Sequence, residues 1–161
     1  MNFKTKLTKS EIDQLVQLLA KVRIPAPYPV FLALGKVLPI VAVDIAYMKD
    51  ENHILLTHRT DEFYDNWHIP GNILWYQETP EHALARVAKK ELGIQIKRGE
   101  FVGVSNEFTP REQSIVLLFK VIAKTKPKHG TFFHLDRLPK DFLKEQMPEI
   151  EQLRALRKRR K

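Results

Sequence analysis

The chain of 161 residues contains no cysteine. Disulfides and thiolate-bound metals are thereby excluded, and redox usage gives no reading of the compartment. Also missing is any apolar run of membrane-spanning length, because Asp44 and Lys49 interrupt the longest one. The N-terminal stretch MNFKTKLTKS is polar and has no secretory apolar core. A cytoplasmic protein without a membrane partner is the default expectation. Negative charge is in short supply, with 19 Asp and Glu against 27 Lys and Arg and a net charge of +8. Such a balance favours polyanionic partners: nucleotides, RNA or an acidic surface. Much of the excess lies between Arg154 and Lys161. The plain reading of that tail is a solvated end, and the sharper one is an RNA tether.

What is present suffices for one globular domain, at 43% hydrophobic content. Ser10 to Val22 reads as an amphipathic helix capped by Ser10, with Ile12, Leu15, Leu18 and Leu19 on one face. The prolines between Arg23 and Val30 read as an extended linker. Residues 1–38 are therefore expected to pack on the outside or to make a homodimer contact. Phe31 to Val37 fits either a strand or a short helix.

Ile40 to Met48 and His53 to His58 read as strands joined by the polar turn Lys49–Asn52, hence as a hairpin. Further strands are expected at Gln95–Val104, broken at Gly99, at Gln113–Ala123 and at Thr131–Leu135. Ser105 to Arg111 reads as a loop, and Leu138 to Leu143 as a short helix. Pro148 opens a last, basic helix over 148–161, which Ile150, Leu153 and Leu156 would pack on the body. Strands around a central helix suit an α/β sandwich with a mixed sheet, occupying residues 39–147.

The most informative stretch runs from Trp67 to Ile94. Pro70-Gly71 makes a tight turn, Thr79 is a good N-cap, Pro80 suits the first helical position and Glu81 lies in the first turn. Gly93 ends the helix as a left-handed residue, and Leu84, Val87, Ala88 and Leu92 form its apolar face. Glu91 can point back at Gly71. A carboxylate aimed at a glycine turn is half of a magnesium–phosphate site, because Mg²⁺ takes hard oxygens and shares them with substrate phosphates. Asp44 stands alone in an apolar strand, where an unpaired carboxylate costs roughly several kcal/mol.

The spacing of Glu78, Arg86, Glu91, Gly93 and Ile94 resembles the box of the Nudix hydrolases. Asn72, Val87 and Lys90 depart from it. The resemblance implies a Nudix-type α/β/α sandwich with a mixed sheet, an added N-terminal helix and a basic C-terminal helix. It also implies Mg²⁺, with Mn²⁺ as a substitute, held by the Gly71 carbonyl and Glu91, while a Glu78–Arg86 ion pair supports the loop. The shortened box is similar to that of GDP-mannose mannosyl hydrolases, which cleave the sugar C–O bond. Val43-Asp44-Ile45, His58-Arg59-Thr60, Trp67 to Gly71, and Lys128-His129 followed by Phe132 to Leu135 extend that likeness. It implies His129 as the base, Asp44 at the leaving sugar or nucleobase, and Arg59, Lys90 and Lys128 on the diphosphate. Three functions are compatible with this pattern. One is a Mg²⁺-dependent hydrolase of a nucleoside-diphosphate derivative such as GDP-mannose. Another is a pyrophosphatase in which Glu107 replaces the missing acids, and the last is a Nudix-fold module that binds nucleotide or RNA without turnover.

Overall fold

Strands that bury side chains on both faces need a covering layer on each side. The computed structural model, which describes residues 6–159, shows both layers. The first half of the chain contains α1 (Lys9–Leu19), α2 (Tyr28–Gly35), β1 (Ile40–Tyr47), β2 (His53–Thr60), β3 (Asp65–His68) and β4 (Gly71–Ile73). Then come α3 (Pro80–Val87), β5 (Ile96–Phe108), β6 (Gln113–Ala123), β7 (Thr131–His134) and α4 (Met147–Arg159). A mixed sheet has the order β4-β1-β6-β5, with β1 and β6 parallel and the outer pairs antiparallel. A smaller antiparallel sheet has the order β3-β2-β7.

Alternation along β1 distributes its residues between two cores. Val43 and Ile45 pack with Leu84, Val87 and Leu92 of the box helix. Ala46 packs with Ile150 and Leu153 of α4. Asp44 shares the α4 side, and that placement decides its partners.

The box helix obeys its capping signals closely. The Thr79 hydroxyl accepts from the His82 N–H, and Gly93 closes the helix at φ 65°. Between them the last turn, Ala88–Leu92, widens into a π-turn. Such turns are rare and recur at functional sites. Leu92 stays fully buried through it.

Several expectations are corrected. The cap of α1 is Thr8, which forms a capping box with Glu11, so the motif lies two residues before Ser10. No residue of α1 is buried. The proline-rich linker is shorter than its prolines imply, because Pro29 sits in the first turn of α2, where its missing N–H is harmless. Strands β1 and β2 are not a two-stranded hairpin: apart from one bridge, Met48 to Ile54, they join different sheets. Residues 138–143 are not helical. Trp67 N–H donates to Asp141 O (3.1 Å) and Leu143 N–H to Trp67 O (2.8 Å), pinning that stretch beside β3 with Phe142 buried. Strand β5 runs on to Phe108, through bulges near Lys97 and Val102, so Glu107 is a strand residue and not a loop residue.

The basic end also differs from a free tail. Arg154 and Arg157 both pair with Asp136, and Arg157 also donates to Asn52 (3.0 Å). Arg160 and Lys161 lie outside the described residues. No helix among the described residues is long and apolar enough to cross a membrane.

Candidate active site

Strand β4 is an edge strand, and its register determines where Gly71 points. Ile45 N–H donates to Pro70 O (2.8 Å) and Leu74 N–H to Val41 O (2.8 Å). In an antiparallel pair the bonded positions alternate, so Gly71 and Ile73 turn their backbone groups away from β1. The Ile73 carbonyl accepts Arg86 Nη2 (2.8 Å) from α3. The Gly71 carbonyl lies on that same outer edge, two residues earlier. Gly71 must be glycine, because a Cβ there would stand 1.8 Å from Asp44 Oδ1.

Two cavities meet at this strand. The outer cleft, about 610 Å³, is lined by Gly71, Asn72, Lys90, Glu91 and His129, among others. The inner cavity, about 210 Å³, has Asp44 and Glu107 among its polar lining and Tyr28, Phe31 and Tyr64 among its aromatic walls. Arg59, His68, Gly71 and Asn72 line both.

The loop before α3 is fastened by Arg86. Its guanidinium donates to both oxygens of Glu78 (2.7 Å each) and lies 3.9 Å from the centre of the Trp75 ring. Trp75 N–H adds a bond to Glu78 Oε2 (3.1 Å). The hydrogen bonds from Arg86 hold the Glu78 carboxyl below its usual range. Glu91 lies beyond Arg86 on the box helix, with Lys90 Nζ 3.8 Å from its Oε1.

Val87 points the other way. It is fully buried among Val43, Ile45 and Leu84, where a valine contributes about 1.5 kcal/mol or more by burial. A glutamate at that place would lose this packing and bring an unpaired charge into the core. Among the described residues no group of three or more His, Cys, Asp or Glu converges as a metal centre. One carboxylate and one outward carbonyl fit a single divalent ion completed by water and substrate oxygens, and do not fit a preformed multi-metal cluster.

Behind the cleft lies a buried acidic group that the sequence pattern did not reveal. Gln146 Nε2 donates to Asp44 Oδ2 (2.7 Å), and the Gln146 carbonyl oxygen accepts from Ile69 N–H (2.7 Å). Burial, then the charges of Glu107 and Glu149, raise the Asp44 carboxyl well above its usual range. Burial likewise lifts Glu107 and Glu149 to about 7. The Ser105 hydroxyl donates to Glu149 Oε1, while Glu149 Oε2 and Glu107 Oε1 have no partner. Gln146 and Glu149 share the helical stripe of Ile150 and Leu153, and that register was the available signal.

The Glu107 and Glu149 carboxyls bind protons more tightly in the native state than in the unfolded one. The stability they contribute is complete below their ordinary value of 4.5 and declines as pH rises through about 7. The melting temperature should therefore fall between about pH 4.5 and 7 and level off above that. Glu149→Gln should flatten that fall, because the amide still accepts from Ser105 and carries no proton to lose. An unchanged slope in calorimetric scans would show that Glu149 is ionised across the whole range.

His68 titrates in the opposite sense. Its Nδ1 donates to Ile69 O (2.9 Å), which leaves Nε2 to accept from the Thr57 hydroxyl (3.2 Å). Burial pushes its pKa down to about 4, so it is a neutral imidazole between the two cavities.

A box helix with its glutamate on the outer edge of a glycine strand, inside an α/β/α sandwich, has counterparts among known proteins. The NUDIX domain model matches residues 38–158. The chain belongs to the Nudix family. It is 34% identical over 111 residues to an ADP-ribose pyrophosphatase of Methanocaldococcus jannaschii, covering 63% of this chain and 66% of that protein. A MutT-like protein of Streptomyces ambofaciens is 27% identical over 120 residues, covering 73% of this chain and 77% of that one. Among solved structures, the MutT Nudix hydrolase of Burkholderia pseudomallei superposes with a TM-score of 0.64 over 71% of this chain and 98% of its own, at 24% identity. That last likeness bears on the fold alone.

Within this Nudix chain, the residues singled out from the sequence divide between the two cavities. Gly71, Glu91, Lys90, Arg59 and His129 line the outer cleft. Asp44 does not line it. It sits in the inner cavity, across the junction at Gly71 from His129. Lys128 reaches its place from the far end of the box helix. Its stem lies over Gly93, where an added Cβ would come within 2.9 Å of its Cδ, and its N–H donates to Leu92 O (2.9 Å). It covers the end of the box helix and is not among the residues lining the cleft. Arg59 is already paired with Asp61 and lies 5.1 Å from the Tyr64 ring centre.

Proposed function

We propose that this Nudix hydrolase cleaves a nucleoside diphosphate bonded to a sugar. The supporting observation is the junction of the two cavities at Arg59, His68, Gly71 and Asn72. An elongated ligand placed there has its base in the inner cavity, its diphosphate along Arg59 and Gly71, and its sugar beside His129. Gly71 O and Glu91 would hold one Mg²⁺ or Mn²⁺ ion, which when bound neutralises the diphosphate and makes it a better leaving group. Lys90 adds positive charge at the same rim as a point contact to phosphate. His129 takes the proton of the water that attacks the sugar carbon. Neutral His68 stays a hydrogen-bonding wall at neutral pH, its pKa of about 4 making it a weak base.

The choice of bond rests on Val87. With that side chain in the core, the start of the last helix turn offers no carboxylate to activate water at phosphorus. A second reading, cleavage of the phosphoanhydride bridge, is favoured by the 34% identical relative named as an ADP-ribose pyrophosphatase. Hydrolysis of GDP-mannose and ADP-ribose in ¹⁸O-water with Mg²⁺ separates the two. Label in the free mannose is expected from GDP-mannose. Label in a phosphate would overturn the C–O reading in favour of the second, and no turnover of either compound would overturn both.

A further inference from the structure

The inner cavity contains a carboxyl for which the chain itself provides no full set of partners. Glu107 is 8% exposed, lines the cavity, and its Oε1 has no hydrogen-bond donor. The surrounding polar groups are already engaged. Gln146 serves Asp44 and Ile69 and also hydrogen-bonds the Glu107 carboxyl, Arg111 donates to Glu112 Oε1 (2.7 Å), and Arg59 holds Asp61, so Glu107 Oε1 is the atom left over. Charged groups reach Glu107 from every side: Asp44 on β1, Glu145 beside Gln146, Glu149 on α4, and Arg111 and Glu112 before β6. The position therefore calls for a ligand that supplies N–H donors.

The walls are flat. Tyr28 and Phe31 of α2 are stacked with ring centres 6.3 Å apart and an interplanar angle of 17°. The Arg111 guanidinium lies 5.5 Å from the Phe31 ring centre and 5.4 Å from that of Tyr64. Planar rings and a planar cation favour a planar guest. At about 210 Å³ the cavity is smaller than the roughly 300–1,000 Å³ of a site for a whole ligand, so it takes one end of a longer molecule.

We propose that Glu107 is a specificity-determining residue that reads the donor edge of a guanine base held between α2 and β5. This rests on the nucleotide-site reading above and deepens it. Guanine presents a ring N–H and an amino N–H side by side, which match the two oxygens of a carboxylate. Adenine presents one amino donor next to a ring acceptor, and that acceptor faces a carboxylate oxygen unfavourably. Hypoxanthine keeps the ring N–H and lacks the amino group.

Calorimetric binding of GDP, IDP and ADP to the full chain at about pH 8, above the Glu107 value of about 7, tests this without turnover. GDP should bind about 10–100-fold tighter than ADP, with IDP between them, the range expected when one buried group is left unpaired. Glu107→Gln should remove most of that preference, because an amide offers one donor and one acceptor. Phe31→Ala should weaken GDP and ADP alike and leave their ratio unchanged. Equal binding of GDP and ADP, or an undiminished preference in Glu107→Gln, would overturn the proposal. Turnover without base preference would sink this inference and leave the hydrolase reading standing. Guanine-selective binding without turnover would do the reverse, and failure of all three nucleotides to bind would remove both.

Discussion

Glu91→Gln is expected to lower turnover at least about a hundredfold while the fold stays intact. On the proposed function Glu91 would hold the divalent ion, which when bound supplies several kcal/mol of charge stabilisation, and each 1.36 kcal/mol corresponds to about tenfold in rate. Here Glu91 is the one carboxylate among the described residues of the outer cleft, so nothing nearby compensates. The amide keeps the shape and removes the charge. Thermal stability should change little, because the side chain is about a quarter exposed and its ion pair is the one to Lys90. Raising Mg²⁺ should restore part of the activity if the defect lies in ion affinity. Near-normal turnover at low Mg²⁺ would mean that the cation is held elsewhere.

Arg86→Ala should be the most destabilising surface-proximal change in the box, by about 3 kcal/mol. The Arg86 and Glu78 side chains are 18% and 12% exposed, so the pair is largely sheltered from solvent. Removing one partner of a buried pair costs roughly 3–5 kcal/mol, because the other charge is left behind. The lower end applies to a pair that still touches water. The substitution also frees the Ile73 carbonyl and uncovers Trp75. For a chain of this length a loss of about 3 kcal/mol lowers the melting temperature by roughly 6–12 °C. Arg86→Lys should recover only part, since a point charge cannot make both bonds to Glu78 together with the one to Ile73. A loss below about 1 kcal/mol in urea titrations would show that the loop is held by other contacts.

Local signals in the sequence located the box helix and its caps. Thr79, Pro80, Gly93 and the stripe from Leu84 to Leu92 act over one or two turns, and their structural consequences are equally local. The ends of β6 were also legible, because its apolar run is bounded by polar residues. Pairing failed instead. A polar turn such as Lys49–Asn52 serves a hairpin or a corner between sheets equally well, and the partner of β1 lies about seventy residues away in β6. Pro29 misled for a related reason, since a proline suits a loop or a first helical turn, and the residues after it decide between them. Within the site, the family spacing placed Glu78, Arg86 and Glu91 together in sequence. Gln146 and Glu149 required knowledge of which face of α4 meets β1, and that is a tertiary fact.

Tyr28 and Phe31 precede residue 38, where the family match begins, yet they wall the inner cavity. One aromatic wall of the proposed nucleotide pocket is thus borrowed from outside the matched domain, while the carboxyl proposed to tell one base from another lies within it. A fragment trimmed to the family boundaries should keep its choice of guest and lose strength of grip.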